Sequence, residues 1–135
     1  PHFLNGRDLF FSDSLACSSC HGTFLFTNQE MENNGLYEQY PDSGRYVLTR
    51  LQEDIGRFKV PSLRNVELTS PYMHDGSLST LEQVVSHYES GGSNHFNQSN
   101  LVKGFNLTSE ERASLIAFLQ SLTDYEFTQN TLFKE

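Results

Sequence analysis

Two cysteines and a histidine stand in one short segment whose spacing points to a specific chemistry. The chain has only two cysteines, and both lie in the run Cys17-Ser18-Ser19-Cys20-His21. Two thiols three residues apart can reach the two vinyl groups on one edge of a porphyrin and form thioether bonds, which is the haem attachment pattern. The imidazole of the next residue can then ligate the iron. The segment therefore predicts one covalent haem, bound through Cys17 and Cys20 with His21 as proximal ligand.

A Cys-x-x-Cys pair also occurs in thiol redox proteins and in zinc sites. A thioredoxin-like pair is usually found near a βαβ pattern, which this sequence does not show. A structural zinc site needs a second pair of ligands at similar spacing. The other histidines, which are not paired in that way, are His2, His74, His87 and His95. Haem attachment is thus favoured over a redox or zinc site.

Size and charge exclude several classes of protein. The chain has 135 residues, which suits one domain covering residues 1–135. It has 9 Lys and Arg against 17 Asp and Glu, a formal charge of -8, so it lacks the basic surface of a nucleic-acid binder. No run of about 18 apolar residues predicts a membrane span. Because the chain starts at Pro1 without an initiator Met, we interpret it as trimmed or cleaved.

Two helices are predicted from the N-terminal part of the chain and two from the C-terminal part. The first lies near Phe3 to Phe11, with Gly6 and Phe10 four residues apart on one face. The second is short and surrounds the cysteines. The last begins with a capping box at Thr108, and its apolar stripe should pack on Gly6 and Phe10. The residues of that stripe are Leu115, Phe118, Leu119 and Leu122.

The third helix begins with another capping box, Thr80-Leu81-Glu82-Gln83, and ends at Gly91-Gly92. Its buried stripe has the i, i+3, i+4, i+7 spacing of one helix face. The residues of this stripe are Leu81, Val84, Val85 and Tyr88.

Long loops separate these helices. Residues 22–79 and 91–106 are rich in glycine, proline or asparagine and show little strand-like alternation. Loops of this length in a compact domain are usually functional. The fold class predicted is all-α, a c-type cytochrome domain whose long loops wrap one haem.

Longer motifs make the sequence resemble a known family. The segments Gly6-Arg7-Asp8-Leu9-Phe10-Phe11 and Cys17 to Phe26 are similar to the haem segment of that family, as is Asn34-Gly35-Leu36. The most specific motifs run from Gly56 to Val66 (GRFKVPSLRNV) and from Leu68 to Gly76 (LTSPYMHDG). Together they resemble the C-terminal haem domain of bacterial di-haem cytochrome c peroxidases and MauG.

This resemblance implies a function and partners. Members of the family have two haem domains, and peroxide reacts at the N-terminal one. Here 16 residues precede Cys17 and there is no second Cys-x-x-Cys-His, so we expect the electron-transfer half, without the N-terminal haem domain and not catalytic alone. It should work with a second haem domain or chain and with a redox donor such as a small cytochrome or cupredoxin. The expected location is periplasmic or otherwise extracytoplasmic.

The distal ligand of the iron has several candidates: Met73, His74, His87 and Tyr88. Helix geometry puts Tyr88 on the buried stripe and His87 roughly 100° away, toward solvent. The resemblance implies a ligand from the helix after the His-Asp-Gly turn, Met in the peroxidases and Tyr in MauG, and that position corresponds to Tyr88. Met73 is the alternative, and an open site is a third possibility. We expect His74 to hydrogen-bond in the haem surroundings.

Other residues are candidates for lesser roles. Arg57 and Arg64 are candidates to pair with haem propionates, with surface charge as the alternative. The resemblance also implies a calcium ion, bound partly by the backbone carbonyls of Thr69 and Pro71.

Four functions remain open from the sequence. The first is electron transfer as part of a di-haem peroxidase or MauG-like oxidoreductase. The second is a free-standing monohaem electron carrier. The third is a self-sufficient haem enzyme with an open distal site, and the fourth is a non-haem metal or thiol domain.

Overall fold

A computed structural model describes residues 2–133, and helices dominate it. The α-helices are α1 (His2–Phe10), α2 (Cys17–His21), α3 (Tyr46–Thr49), α4 (Leu81–Ser90), α5 (Ser109–Gln120) and α6 (Tyr125–Gln129). Two strands, β1 (Met31–Glu32) and β2 (Phe58–Lys59), form a short antiparallel pair. Short 3-10 helices cover Gln52–Asp54, Val66–Leu68 and Thr131–Phe133. The chain is thus mostly helical, as predicted, with a minimal sheet that was not predicted.

Helix α1 crosses α5 through Gly6, as the sequence predicted. A β carbon at Gly6 would overlap the Ser114 carbonyl oxygen and would lie 2.9 Å from Phe118 Cβ. The ring centroids of Phe10 and Phe118 are 5.1 Å apart, and both side chains are buried. A residue without a side chain is what allows the two helix backbones to approach this closely.

Both predicted capping boxes are confirmed. The Thr80 hydroxyl accepts a hydrogen bond from the Gln83 N–H, and the Gln83 side chain accepts one from the Thr80 N–H. Thr108 and Glu111 make the same reciprocal pair at the start of α5. Each box satisfies two N–H groups that a helix start leaves unpaired.

Helix α4 ends at Gly91, which has the left-handed conformation with φ of 79°. Its N–H donates to the Tyr88 carbonyl at 3.2 Å. Glycine adopts this conformation without the steric cost that a β carbon would bring. The helix therefore stops where the sequence predicted, one turn after Tyr88.

The segment from Gly22 to Ser79 was predicted as loop and contains short elements instead. Helix α3 has four residues, and the paired strands have two residues each. Elements of this length carry no readable periodicity, since one helical turn takes 3.6 residues. The segment nevertheless follows a path fixed by many backbone hydrogen bonds, for example from the Val60 N–H to the Glu30 carbonyl at 2.9 Å.

The core packs α1, α4 and α5 against the long segment between α2 and α4. Its buried side chains are Phe10, Leu15, Val66, Leu81, Val85, Leu115, Ile116, Phe118 and Leu119. Within residues 2–133, no helix has both the length and the apolar character to cross a membrane.

Candidate haem site

A cavity of about 450 Å³ lies beside the core. Its volume falls within the range of about 300–1,000 Å³ that is usual for ligand sites. Much of its wall is apolar. The apolar wall includes Phe10, Val60, Leu63, Val66, Leu81, Val84, Val85, Phe105, Leu115 and Leu119. The wall also contains polar residues, which include those of the Cys-x-x-Cys-His motif.

Cys17 and Cys20 both line the cavity, and both thiols are free. Burial raises the pKa of the Cys17 thiol to about 11. Burial also raises the pKa of the Cys20 thiol, and the Glu32 carboxylate adds to that rise. Reactive redox cysteines have lowered pKa values, because the thiolate is the nucleophile. The raised pKa values are therefore unlike those of a thiol redox site.

His21 is held in one tautomer. Its Nδ1 lies 2.8 Å from the Phe26 carbonyl oxygen, which can only accept, so Nδ1 donates. The lone pair is then on Nε2, the arrangement found in many metal-binding histidines. Burial lowers the pKa of His21, partly offset by the backbone carbonyls of Phe26 and Pro61. His21 lines the cavity and can offer a neutral imidazole to iron.

Tyr88 extends from α4 into the cavity wall together with the apolar stripe of that helix. Leu81 and Val85 of the stripe are buried, while the ring of Tyr88 is partly accessible from the cavity. Burial raises the pKa of the Tyr88 phenol, and the nearby Asn34 side chain opposes that rise. Tyr88 and His21 therefore line the same cavity.

Met73 also lines the cavity, from the turn that precedes α4. Its φ of 72° is left-handed, which is unusual for a residue other than glycine. The Asn34 side-chain amide donates a hydrogen bond to the Met73 sulfur, with Nδ2 and Sδ 3.2 Å apart. The structure thus brings both candidate oxygen and sulfur ligands to one cavity.

The other candidate histidines have different surroundings. His74 lines the cavity, and its ring stacks on Phe58 with a centroid distance of 3.7 Å. The hydrogen bond expected for His74 in the haem surroundings stays a prediction. His87 is outside the cavity wall formed by the described residues, and its Nε2 donates to the Asn34 carbonyl at 3.0 Å. His87 is therefore half-buried rather than turned to solvent.

Neither arginine proposed for the propionates is part of the cavity wall formed by residues 2–133. Arg57 Nη1 lies 4.0 Å from Asp54 Oδ1, and its buried Nε has no partner among the described residues. Arg64 donates to the Phe24 carbonyl at 2.7 Å and stacks on the Phe24 ring. A propionate role for these arginines stays a prediction. Lys59 is a cationic residue that does line the cavity.

Thr69 and Pro71 line the cavity at its edge and are exposed. Their carbonyl oxygens accept no hydrogen bond from any described residue, so they are free to bind a cation. The described part of the chain has no group of three or more His, Cys, Asp or Glu side chains that could hold a metal ion. The calcium site stays a prediction that needs ligands beyond these two residues.

The residues present fit a covalent haem. Two free thiols and an imidazole with its lone pair on Nε2 line one mostly apolar cavity, which also holds a phenol and a thioether. Burial of a porphyrin needs an apolar wall, and the iron needs nitrogen, oxygen or sulfur ligands. Among these groups, His21 and the two cysteines come from a single turn of α2.

The residues on the cavity wall that the sequence did not mark as site residues include Lys59 and Asn34. Lys59 belongs to β2, and Asn34 follows β1. Lys59 lies within the specific motif from Gly56 to Val66, and that motif could have indicated it as a site residue. The hydrogen bond of Asn34 to Met73 spans 39 residues, and no local pattern marks it.

Comparison with known proteins agrees with this site. The family model for cytochrome c matches residues 3–123. The cytochrome-c peroxidase IdrP1 of Denitromonas iodatirespirans is 34% identical, over 84% of this chain and 38% of its own length. The methylamine utilization protein MauG of Methylorubrum extorquens is 38% identical, over 83% of this chain and 32% of its own length. The resemblance to cytochrome c peroxidases and MauG is confirmed.

A solved structure extends the similarity to the whole fold. A MauG-like protein associated with microbial copper homeostasis superposes with a TM-score of 0.94 at 34% identity, covering 98% of this chain and 50% of that one. The chain thus spans about a third of the length of the two relatives and half of the solved chain. The family match, the attachment motif and the cavity lead to one assignment: this chain belongs to the cytochrome c family.

Proposed function

We propose that this chain is a haem-dependent electron-transfer domain of a cytochrome c peroxidase or MauG-like oxidoreductase. The observation that carries the proposal is the cavity that brings the two thiols of the attachment motif, His21 and Tyr88 together. Similarity to cytochrome c peroxidase IdrP1 and to MauG supports this function over a free-standing monohaem carrier.

Each residue of the site has a role in this proposal. Cys17 and Cys20 would anchor the haem by thioethers, and His21 would offer Nε2 to the iron as its proximal ligand. Tyr88 would be the distal ligand, with Met73 as the alternative. When bound, the haem supplies one-electron redox chemistry. The apolar wall would keep water away from the haem, which limits the solvent reorganisation when the haem gains or loses an electron.

Because Tyr88 would bind the iron where peroxide would have to bind, we expect this domain not to be catalytic on its own. Its partners are a second haem domain or chain and a redox donor such as a small cytochrome or cupredoxin. Haem attachment of this type implies a periplasmic or otherwise extracytoplasmic location. A calcium ion held partly by the carbonyls of Thr69 and Pro71 would lie at the edge of the cavity, where both residues are exposed.

The test is to compare redox cycling with peroxide reaction in the haem-loaded chain. We expect reversible reduction and oxidation with small mediators, and only slow change of the ferric spectrum when hydrogen peroxide is added. The Tyr88→Phe variant should react faster, because it has lost the distal ligand while retaining the ring. Fast peroxide turnover by the unmodified chain would instead favour a self-sufficient haem enzyme.

A further inference from the structure

Asn34 lies next to both candidate distal ligands. Its side chain lines the cavity with Met73 and Tyr88. The Asn34 Nδ2 atom is 3.2 Å from the Met73 sulfur. One short side chain therefore bonds the sulfur that could ligate the iron and lines the same cavity as the Tyr88 phenol.

The orientation of this amide is fixed by its other partners. The Leu36 N–H is shared between Asn34 Oδ1 at 3.2 Å and the Tyr40 hydroxyl oxygen at 2.9 Å. The Tyr40 hydroxyl donates to Asn33 Oδ1 at 2.9 Å, and Asn34 Oδ1 is more distant from it at 3.4 Å. A backbone N–H can only donate, so Oδ1 faces Leu36 and the NH₂ group faces Met73. The amide cannot exchange its two ends without losing these bonds.

The backbone of Asn34 is tied to the helix that carries Tyr88. The His87 Nε2 atom donates to the Asn34 carbonyl at 3.0 Å. His87 directly precedes Tyr88 in α4, so this bond fixes the distance between Asn34 and the Tyr88 backbone. Helix α4 therefore positions both the Asn34 amide, which donates to Met73, and the Tyr88 phenol.

Met73 itself is held in an unusual state. Its left-handed backbone is costly for a residue with a side chain, and such conformations persist where surrounding contacts enforce them. The Asn34 hydrogen bond takes up one of the two lone pairs of the Met73 sulfur and ties the thioether to the segment that carries Asn34. The second lone pair stays free, so the hydrogen bond acts by fixing the position of the sulfur rather than by blocking it chemically.

We propose that Asn34 is a positioning residue that selects the distal ligand, because its amide holds the Met73 sulfur away from the iron and leaves that position to Tyr88. This inference rests on the proposed function, in which the cavity holds a haem ligated by Tyr88. By selecting the ligand, Asn34 also sets the reduction potential, because thioether ligation raises the potential of a haem and phenolate ligation lowers it.

The experiment uses two Asn34 variants of the haem-loaded chain. Asn34→Leu removes the donor at similar volume, and Asn34→Asp keeps an acceptor for the Leu36 N–H while removing the donor. Absorption spectra in both oxidation states and the reduction potential are measured. We expect sulfur ligation to appear, most strongly in the reduced protein, together with a higher potential. Met73→Leu added to either variant should abolish both changes.

A matched control distinguishes ligand selection by Asn34 from general damage to the site. Tyr40→Phe removes a hydroxyl that bonds mainly Asn33 and Leu36 and lies 3.4 Å from Asn34 Oδ1, but it keeps the donor to Met73. Its spectrum and potential should therefore equal those of the unmodified chain. The inference is overturned if neither Asn34 variant gains Met73-dependent ligation, whether Tyr88 stays bound or the site opens. Failure of the proposed function looks different: Tyr88→Phe would then leave the spectrum unchanged while Asn34 is intact.

Discussion

Gly6 packs against the backbone of Ser114 at the crossing of α1 and α5, and the space between them cannot hold a β carbon. Phe10, one turn further along α1, fills the adjacent space against Phe118 and lines the cavity. The crossing therefore connects the packing of α1 and α5 with the wall of the haem site.

Gly6→Leu should destabilise the haem-loaded protein by about 1–3 kcal/mol, because overpacking forces the two helices apart. The measurement is urea unfolding followed by far-UV circular dichroism. Asn5→Leu is the matched control, since Asn5 is exposed on the same helix and should change stability little. Equal unfolding midpoints for Gly6→Leu and the unmodified chain would show that this crossing does not constrain the fold.

The distal ligand can be identified by a pair of substitutions. Tyr88→Phe keeps the ring and its packing but removes the oxygen, so it should convert low-spin iron to high-spin iron and raise the reduction potential. Met73→Leu in the unmodified background should change little. Electron paramagnetic resonance of the ferric protein reports the spin state directly. If Met73→Leu opens the site and Tyr88→Phe does not, then Met73 is the ligand.

The capping box of α5 predicts a pH dependence of stability. Hydrogen bonds from the Thr108 N–H and hydroxyl hold the pKa of Glu111 below its usual range. A lowered pKa in the folded state contributes stability above the unfolded value of about 4.3, and this contribution is lost as the pH falls through the folded value. Glu111→Gln should therefore lower Tm at pH 6, and the difference from the unmodified chain should vanish in acid.

Two substitutions close to Glu111 serve as controls for its role in the capping box. Glu110→Gln changes an adjacent carboxylate that makes no hydrogen bond to Thr108, so its Tm should follow that of the unmodified chain at each pH. Thr108→Ala should cost about 1 kcal/mol, the usual loss for a helix cap. A Tm difference for Glu111→Gln that stays constant from pH 6 to acid would contradict the assigned role of the Glu111 carboxylate.

The sequence predicted the features that depend on local spacing. The capping boxes at Thr80 and Thr108 and the end of α4 at Gly91 are properties of a few consecutive residues, and all three are confirmed. The position of Gly6 against α5 followed from the need for a close helix approach. Tyr88 lines the cavity with its stripe because residues at i, i+3, i+4 and i+7 share a face.

Contacts between distant segments could not be predicted in this way. The Asn34 amide reaches Met73 across 39 residues, and His87 Nε2 reaches the Asn34 carbonyl across 53. The first contact depends on how the segment from Gly22 to Ser79 folds on itself, and the second on how that segment packs against α4. No periodic pattern encodes either one. His87 was therefore expected at the surface, although a hydrogen bond holds it half-buried.

The most direct test of the central claim is the intact mass of the chain after acid-organic extraction. The protein is produced in a host with a working haem-attachment system, denatured, extracted and then measured by mass spectrometry. Thioethers survive this treatment, whereas a haem held only by His21 and a distal ligand is washed out. We predict the mass of the polypeptide plus one haem, and a Cys17→Ala, Cys20→Ala double variant of bare polypeptide mass. A bare polypeptide mass for the unmodified chain would contradict covalent haem attachment.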